Sequence, residues 1–454
     1  MGVGANAAKL LLTAGLGAAG LSAQLRAGAA KVDITPDPAK GPVYMAGFDH
    51  NRVATGVHDP LWARCAAFAP ARRTLVMCTV DTIGLFYDDV EAVRRKLPYY
   101  DVVVSATHNH EGPDTMGLWG PAPDKSGLNE AYNAFVVDKV VEAAKAAVKS
   151  LQPATATLAR VRTPELDRLI HDTRPPEVHD AELVVLAVAD ESGHGIATAV
   201  NWANHPETLG GKNTQITADY PGYLYVGLEE HLGGVAMLWN GAIGGMQSPL
   251  GAQVVDAKTH QPAPEESFRK AELIGQRVAD LALDALQGEK PVEISRISFV
   301  ERLITIPITN PGFQMASQAD LYKGRKKPTA DGGTSTPVGL VRFASRTEPL
   351  LDVALVPGEM YPELSVGGVV KYEGADFPDA PVEPPIKPMM TAEHRMVIGL
   401  ADDEIGYIIP KAEWDEKAPW LQNAPKAWYG EVNSVGPEAA PRIAAAIRAL
   451  LLGR

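Results

Sequence analysis

The sequence predicts a layered α/β fold of the α+β kind, with a mixed β-sheet core, flanking helices and functional loops at the strand ends. Three observations predict it. Short β-branched runs alternate with helix-period stretches from Trp62 to Leu286. Several of those runs end in polar loops that carry a histidine. Glycine (42) and proline (36) are frequent and follow no repeat, which suits ordered turns better than a fibre or a helical bundle.

The elements follow in order. Lys9 precedes an apolar, small-residue stretch, Leu10 to Leu21, closed by Ser22 and Ala23. That is the pattern of a secretory signal peptide, and it is too short to span a bilayer comfortably. The expectation is a signal over 1–23, then one large domain over 24–454, in a secreted or periplasmic protein. If the segment is not a signal, the chain is cytoplasmic. No other segment reads as transmembrane. Trp62–Phe68 and Thr74–Val80 read as strands, Asp88–Leu97 as a short helix and Val102–Ser105 as a buried strand. Asn129–Leu151 has helical period, with Val137, Val140, Val141, Ala144 and Val148 on one stripe. Leu183–Val188, Ile196–Trp202 and Val235–Trp239 read as strands, and Glu265–Leu286 as an amphipathic helix. Val292–Ile308 reads as β-ribbon and 312–340 as a surface excursion or a link between halves. Leu351–Val356 and Met396–Leu400 read as strands, Phe377–Pro388 as an extended Pro-rich run, and Pro441–Leu452 as a terminal helix.

Over 454 residues the formal net charge is −13, with no long basic run, which argues against a general nucleic-acid binder. Two cysteines exclude a disulfide-rich scaffold and a cysteine zinc finger. A hairpin centred near Ala71 would set Cys65 against Cys78, as a buried thiol pair or, in an oxidising compartment, a disulfide.

Five segments could carry chemistry. Val102 to Val104 run into Thr107-His108-Asn109-His110-Glu111, and residues i and i+2 of an extended segment share a side. His108 and His110 can therefore face one cleft as metal ligands, at a strand's carboxyl end where sites collect. Asn204-His205-Pro206 follows a second strand in the same way. Taken alone, His205 reads more simply as a loop histidine bonded to backbone. Pro357-Gly358-Glu359 delivers a carboxylate at a third strand end. Asp402, Asp403 and Glu404 offer oxygens, although such a run more often makes a solvated acidic turn. The Gly-rich loop Asn240 to Pro249 could expose Ser248 or present backbone N–H groups to an oxyanion, but it lacks the G-x-S-x-G elbow of serine hydrolases.

Together these segments resemble the N-terminal catalytic domain of the neutral/alkaline non-lysosomal ceramidase family. Arg26 to Pro36, Met45 to Phe48 and Gly56 to Arg64 are similar to that family's opening stretches, and the order of motifs matches from about residue 26 to 440. The resemblance implies a zinc hydrolase that cleaves an N-acyl amide by attack of zinc-bound water. It implies His108, His205, Glu359 and Tyr407 as zinc ligands, His110 as proton carrier, and Tyr429 as a group steadying the oxyanion. Ser248 falls where the family has the serine of G-D-V-S-P, here Gly245-Met246-Gln247-Ser248-Pro249, without the aspartate. The acidic Glu111 and Asp114 depart from the family pattern and would alter what substrate is welcome. The family's C-terminal immunoglobulin-like domain is expected to be missing. The implied partner is a small-molecule or lipid N-acyl substrate, with peripheral membrane contact and no nucleic acid. Trp119, Tyr361, Tyr372, Phe377 and Trp420 are candidates to line an apolar groove. The competing readings are a zinc hydrolase of another amide or an ester, and an inactive exported binding protein.

Overall fold

The computed structural model describes residues 24–70 and 73–453. The expected signal at 1–23 lies outside them. The strands are β1 (Arg26–Asp33), β2 (Gly56–Val57), β3 (Trp62–Ala69), β4 (Leu75–Val80), β5 (Asp101–Ala106), β6 (Gln152–Arg162), β7 (Glu182–Asp190), β8 (Gly195–Trp202), β9 (Gln215–Ile216), β10 (Val235–Asn240), β11 (Arg296–Pro307), β12 (Gly333–Ala344), β13 (Pro349–Leu355), β14 (Glu359–Met360), β15 (His394–Ile398) and β16 (Tyr407–Ile408). The helices are α1 (Tyr87–Lys96), α2 (Glu130–Lys149), α3 (Pro164–Arg168), α4 (Tyr220–Leu232), α5 (Phe268–Leu286), α6 (Pro311–Gln318), α7 (Pro362–Val366), α8 (Ile386–Met389), α9 (Tyr429–Val432) and α10 (Ala439–Leu451).

Two sheets stack face to face between helices, giving four layers. An eight-stranded sheet runs β10-β8-β7-β6-β1-β3-β4-β5, and a four-stranded sheet runs β11-β12-β13-β15. The alternation of β3 shows why it is buried throughout. Ala63, Cys65 and Ala67 face Val137, Val140 and Ala144 of α2, whereas Ala66 and Phe68 face Val341 and Phe343 of β12. Further along the same sheet, Val185 and Val200 pack under Leu224 of α4 and Ile274 of α5. On the far side, Ala354 and Val397 pack under Ile443 and Ile447 of α10. The Asn129 side chain caps α2 by accepting the Tyr132 N–H, which sets the helix start where the stripe begins.

The large sheet curls until its two edges approach. Thr79 donates its hydroxyl to Leu238 O at 3.2 Å, and Asn240 Nδ2 donates to Thr107 O at 2.7 Å. The carboxyl ends of β5, β8 and β10 therefore meet. The parallel pair β13–β15 ends beside them, since Gly399 N bonds Asn240 O at 3.0 Å.

Four expectations are corrected. Residues 312–332 are mostly exposed and hold α6, but 333–340 are not a surface excursion: they open β12, a mostly buried strand in register with both β11 and β13. The Pro-rich run contains a helical turn, α8. Asp402, Asp403 and Glu404 are buried, not solvated. Asp402 bonds Val104 N and Arg94, and Asp403 bonds Tyr87 N, Thr336 and Lys326. Cys65 and Cys78, directly opposite across β3 and β4, form a disulfide and not a thiol pair.

Candidate active site

The loop leaving β5 carries the first two histidines. His108 takes φ +67°, a left-handed conformation uncommon outside glycine. Its Nδ1 lies 2.7 Å from Ile83 O. His205, in the loop leaving β8, has the same arrangement, with Nδ1 2.7 Å from Gln247 O. A backbone carbonyl can only accept, so both rings carry a proton on Nδ1 and turn Nε2 inward. Both Nε2 atoms point at one oxygen. Glu359 Oε2 is 3.0 Å from His205 Nε2 and 3.4 Å from His108 Nε2.

Glu359 begins β14, which pairs with β16 so that Glu359 and Tyr407 are direct neighbours. The Tyr407 hydroxyl donates to Met246 Sδ at 3.0 Å, and its phenol is pushed well above its usual range by burial and by the Glu359 charge. The Tyr429 ring lies 5.8 Å from that of Tyr407 and is half exposed at the mouth. Its helical turn is tied down by a buried ion pair between Glu431 and Arg174.

His110 completes a trio of buried imidazoles: its ring centroid lies 4.9 Å from that of His108 and 5.6 Å from that of His205. One nitrogen from each of the three rings can lie within 4.8 Å of the others. Burial, then the charges of His108 and His205, holds His110 well below the usual imidazole range. Burial would lower His205 too, but its hydrogen bond to Glu359 and the charges of Glu207 and Glu359 leave it raised. Burial would raise Glu359, and the two histidines reverse this and hold it well below the usual carboxylate range.

The expected ligands and proton-handling residues, His108, His110, His205, Glu359, Tyr407, Tyr429 and Ser248, lie in or beside this cluster, and the structure gives each a surrounding that sequence could not supply. Ser248 is buried, with its hydroxyl donating to Glu207. Glu111 and Asp114 are structural. Glu111 pairs with Arg52 at 3.0 Å, and Asp114 accepts the N–H groups of Met116, Gly117 and Trp119. Of the aromatic candidates, Tyr361 and Phe377 pack with Tyr407, and Trp119 packs apart with Ile83 and Phe86. Two residues escaped the sequence reading. Glu207 stands two places after His205, and that spacing was its only signal. Gly47 (φ +72°) backs His110 so closely that a Cβ there would fall 2.2 Å from Nδ1.

The donor set fits a metal. Two imidazole nitrogens and a carboxylate oxygen facing one another need a proton or a cation between them, and N/O sets of this kind hold zinc. His110 adds two buried ring nitrogens without hydrogen-bond partners.

Buried histidines and a carboxylate gathered at strand ends define the class of histidine–carboxylate centres found in hydrolases. Residues 25–249 match the family described as neutral/alkaline non-lysosomal ceramidase, N-terminal. Over those residues the chain belongs to that family and is a ceramidase-like hydrolase. The fold is shared with the crystal structure of neutral ceramidase from Pseudomonas aeruginosa, at a TM-score of 0.69 and 18% identity over 95% of this chain and 75% of that one. A structure titled as ceramidase complexed with C2 gives 0.68 and 18% over 94% and 75%. No curated protein sequence gave a significant match.

Proposed function

We propose that the protein is a zinc-dependent hydrolase of an N-acyl amide, with a ceramide-like lipid as the substrate class. The observation that carries this reading is the convergence of His108 Nε2 and His205 Nε2 on a single oxygen of Glu359. Those three residues would hold the zinc, with Tyr407 alongside. Bound there, zinc supplies Lewis acidity, polarising a carbonyl and making water nucleophilic near pH 7. His110, neutral in its buried setting, takes a proton from the attacking water and returns it to the leaving amine nitrogen. Tyr429 donates its phenol to the oxygen on which negative charge develops. Phe377, half-buried beside Tyr407, offers apolar surface for an acyl or sphingoid chain. No helix among the described residues is long and apolar enough to cross a membrane, so lipid would reach the site from a bilayer surface or a micelle.

Export is part of the proposal. The apolar stretch Leu10–Leu21 and the Cys65–Cys78 disulfide both suit a secreted or periplasmic protein. The described residues are then read as one catalytic domain.

The test is zinc content and turnover of a fluorogenic N-acyl amide, measured on wild type, His205→Ala and His110→Ala. Zinc and activity lost together in His205→Ala, with zinc kept and activity lost in His110→Ala, support the assignments. A folded wild type that binds no zinc contradicts them. A zinc-replete wild type that cleaves esters but no amide would favour the ester reading.

A further inference from the structure

Glu207 is used by no step above, yet it is 1% exposed and both its oxygens face the site. Oε1 accepts the Ser248 hydroxyl, and Oε2 lies 3.5 Å from His110 Nδ1. Ser248 is locked. Its single hydroxyl proton goes to Glu207, its oxygen accepts the Leu250 N–H at 3.0 Å, and its backbone exchanges two hydrogen bonds with His171, at 2.7 and 3.1 Å. Buried and held by these bonds, Ser248 braces the Glu207 carboxylate. His110 is pinned against the same loop, since its backbone N–H bonds Pro206 O at 3.0 Å. Gly47 and Phe48 close the remaining side of the ring.

We infer that Glu207, braced by Ser248, is a positioning residue that holds His110 as its Nδ1–H tautomer, with the Nε2 lone pair facing the reaction centre. A carboxylate can only accept, so facing Nδ1 it favours the ring form with the proton there. At 3.5 Å the contact is longer than a good hydrogen bond, and such contacts tighten when substrate closes the site. The protons balance. His110 Nε2 gains one from the attacking water and gives it to the leaving nitrogen, so the ring ends neutral. Glu207 exchanges none with substrate and offsets the imidazolium charge in between. This rests on the reading that His110 carries protons in amide hydrolysis.

The experiment compares wild type with Glu207→Gln, Glu207→Asp, Ser248→Ala and the Glu207→Gln/Ser248→Ala double variant. Zinc content, kcat and KM for an N-acyl amide are measured, together with the ¹⁵N imidazole shifts of His110 in metal-free protein. Glu207→Gln should keep its zinc and its KM while kcat falls about 10- to 100-fold, the usual cost of removing an orienting partner. Glu207→Asp should recover part of that loss. Ser248→Ala should fall less, and the double variant should be no worse than Glu207→Gln, because the serine acts through the carboxylate. The wild-type shifts should report Nδ1–H, and Glu207→Gln should lose that preference. Wild-type turnover in Glu207→Gln, an Nε2–H tautomer in wild type, or zinc lost from Glu207→Gln would each overturn the inference. If wild type holds zinc but cleaves no amide, the functional reading fails, and the shifts alone decide the tautomer.

Discussion

The two halves of the chain furnish the site differently. Residues before Pro249 supply His108, His110 and His205, and rigid backbone aims two of those rings through Nδ1 bonds to Ile83 and Gln247. The later half supplies Glu359 and Tyr407 from two-residue strands held to each other, and Tyr429 from a single helical turn at the mouth. The family match ends where the histidine half ends. The difference is a division of labour: the first half fixes the nitrogens, and the second brings the carboxylate on which they converge and the two phenols beside it.

Variants can break that division, and the largest effects should come where the halves touch. Glu359→Ala leaves two imidazoles without their shared anion, so zinc and activity should both fall below detection while both histidine loops keep their fold. Circular dichroism with elemental analysis checks this. Next is His110→Ala, where a lost proton carrier costs about 100- to 10,000-fold in kcat with zinc retained. Tyr429→Phe should cost about 100-fold in kcat with unchanged zinc, because the proposed oxyanion donor is removed.

Two further changes act within the histidine half. Gly47→Ala puts a methyl 2.2 Å from His110 Nδ1 at a positive-φ position, so it should lower kcat and cost about 1–3 kcal/mol, read by urea unfolding. Replacing Cys65 and Cys78 together with alanine removes the β3–β4 crosslink and should cost about 2–4 kcal/mol without changing zinc content. If that pair instead abolishes zinc binding, the strand pair controls the metal loop directly and the two halves are less separable than described.

Sequence carried the architecture where pattern and period agree. Val102 to Val104 running into His108 and His110 marked a buried strand with the histidines in the loop at its end, and the valine stripe of α2 lies where its period set it. It failed where tertiary partners override local pattern. β12 opens Gly333-Thr334-Ser335-Thr336-Pro337, which reads as loop, yet those residues pair with β11. The partners of Asp402 and Asp403 include Arg94 and Lys326, 308 and 77 residues away, so an acidic run that looks solvated is buried. β6 is alanine-rich, with Leu158 and Val161 as its large apolar residues, and its pattern does not read as a strand, although it joins β1 to β7. The meeting of His108 with His205 depends on the curl of an eight-stranded sheet, which no local spacing records. The contacts of Glu207 are legible only once that curl is formed.

The most direct test is anomalous diffraction at the zinc edge from crystals of the zinc-loaded protein. The account predicts one strong peak bonded to His108 Nε2, His205 Nε2 and Glu359 Oε2, with His110 outside bonding distance and turned toward Glu207. A peak bonded to all three histidines, with Glu359 free, would contradict it.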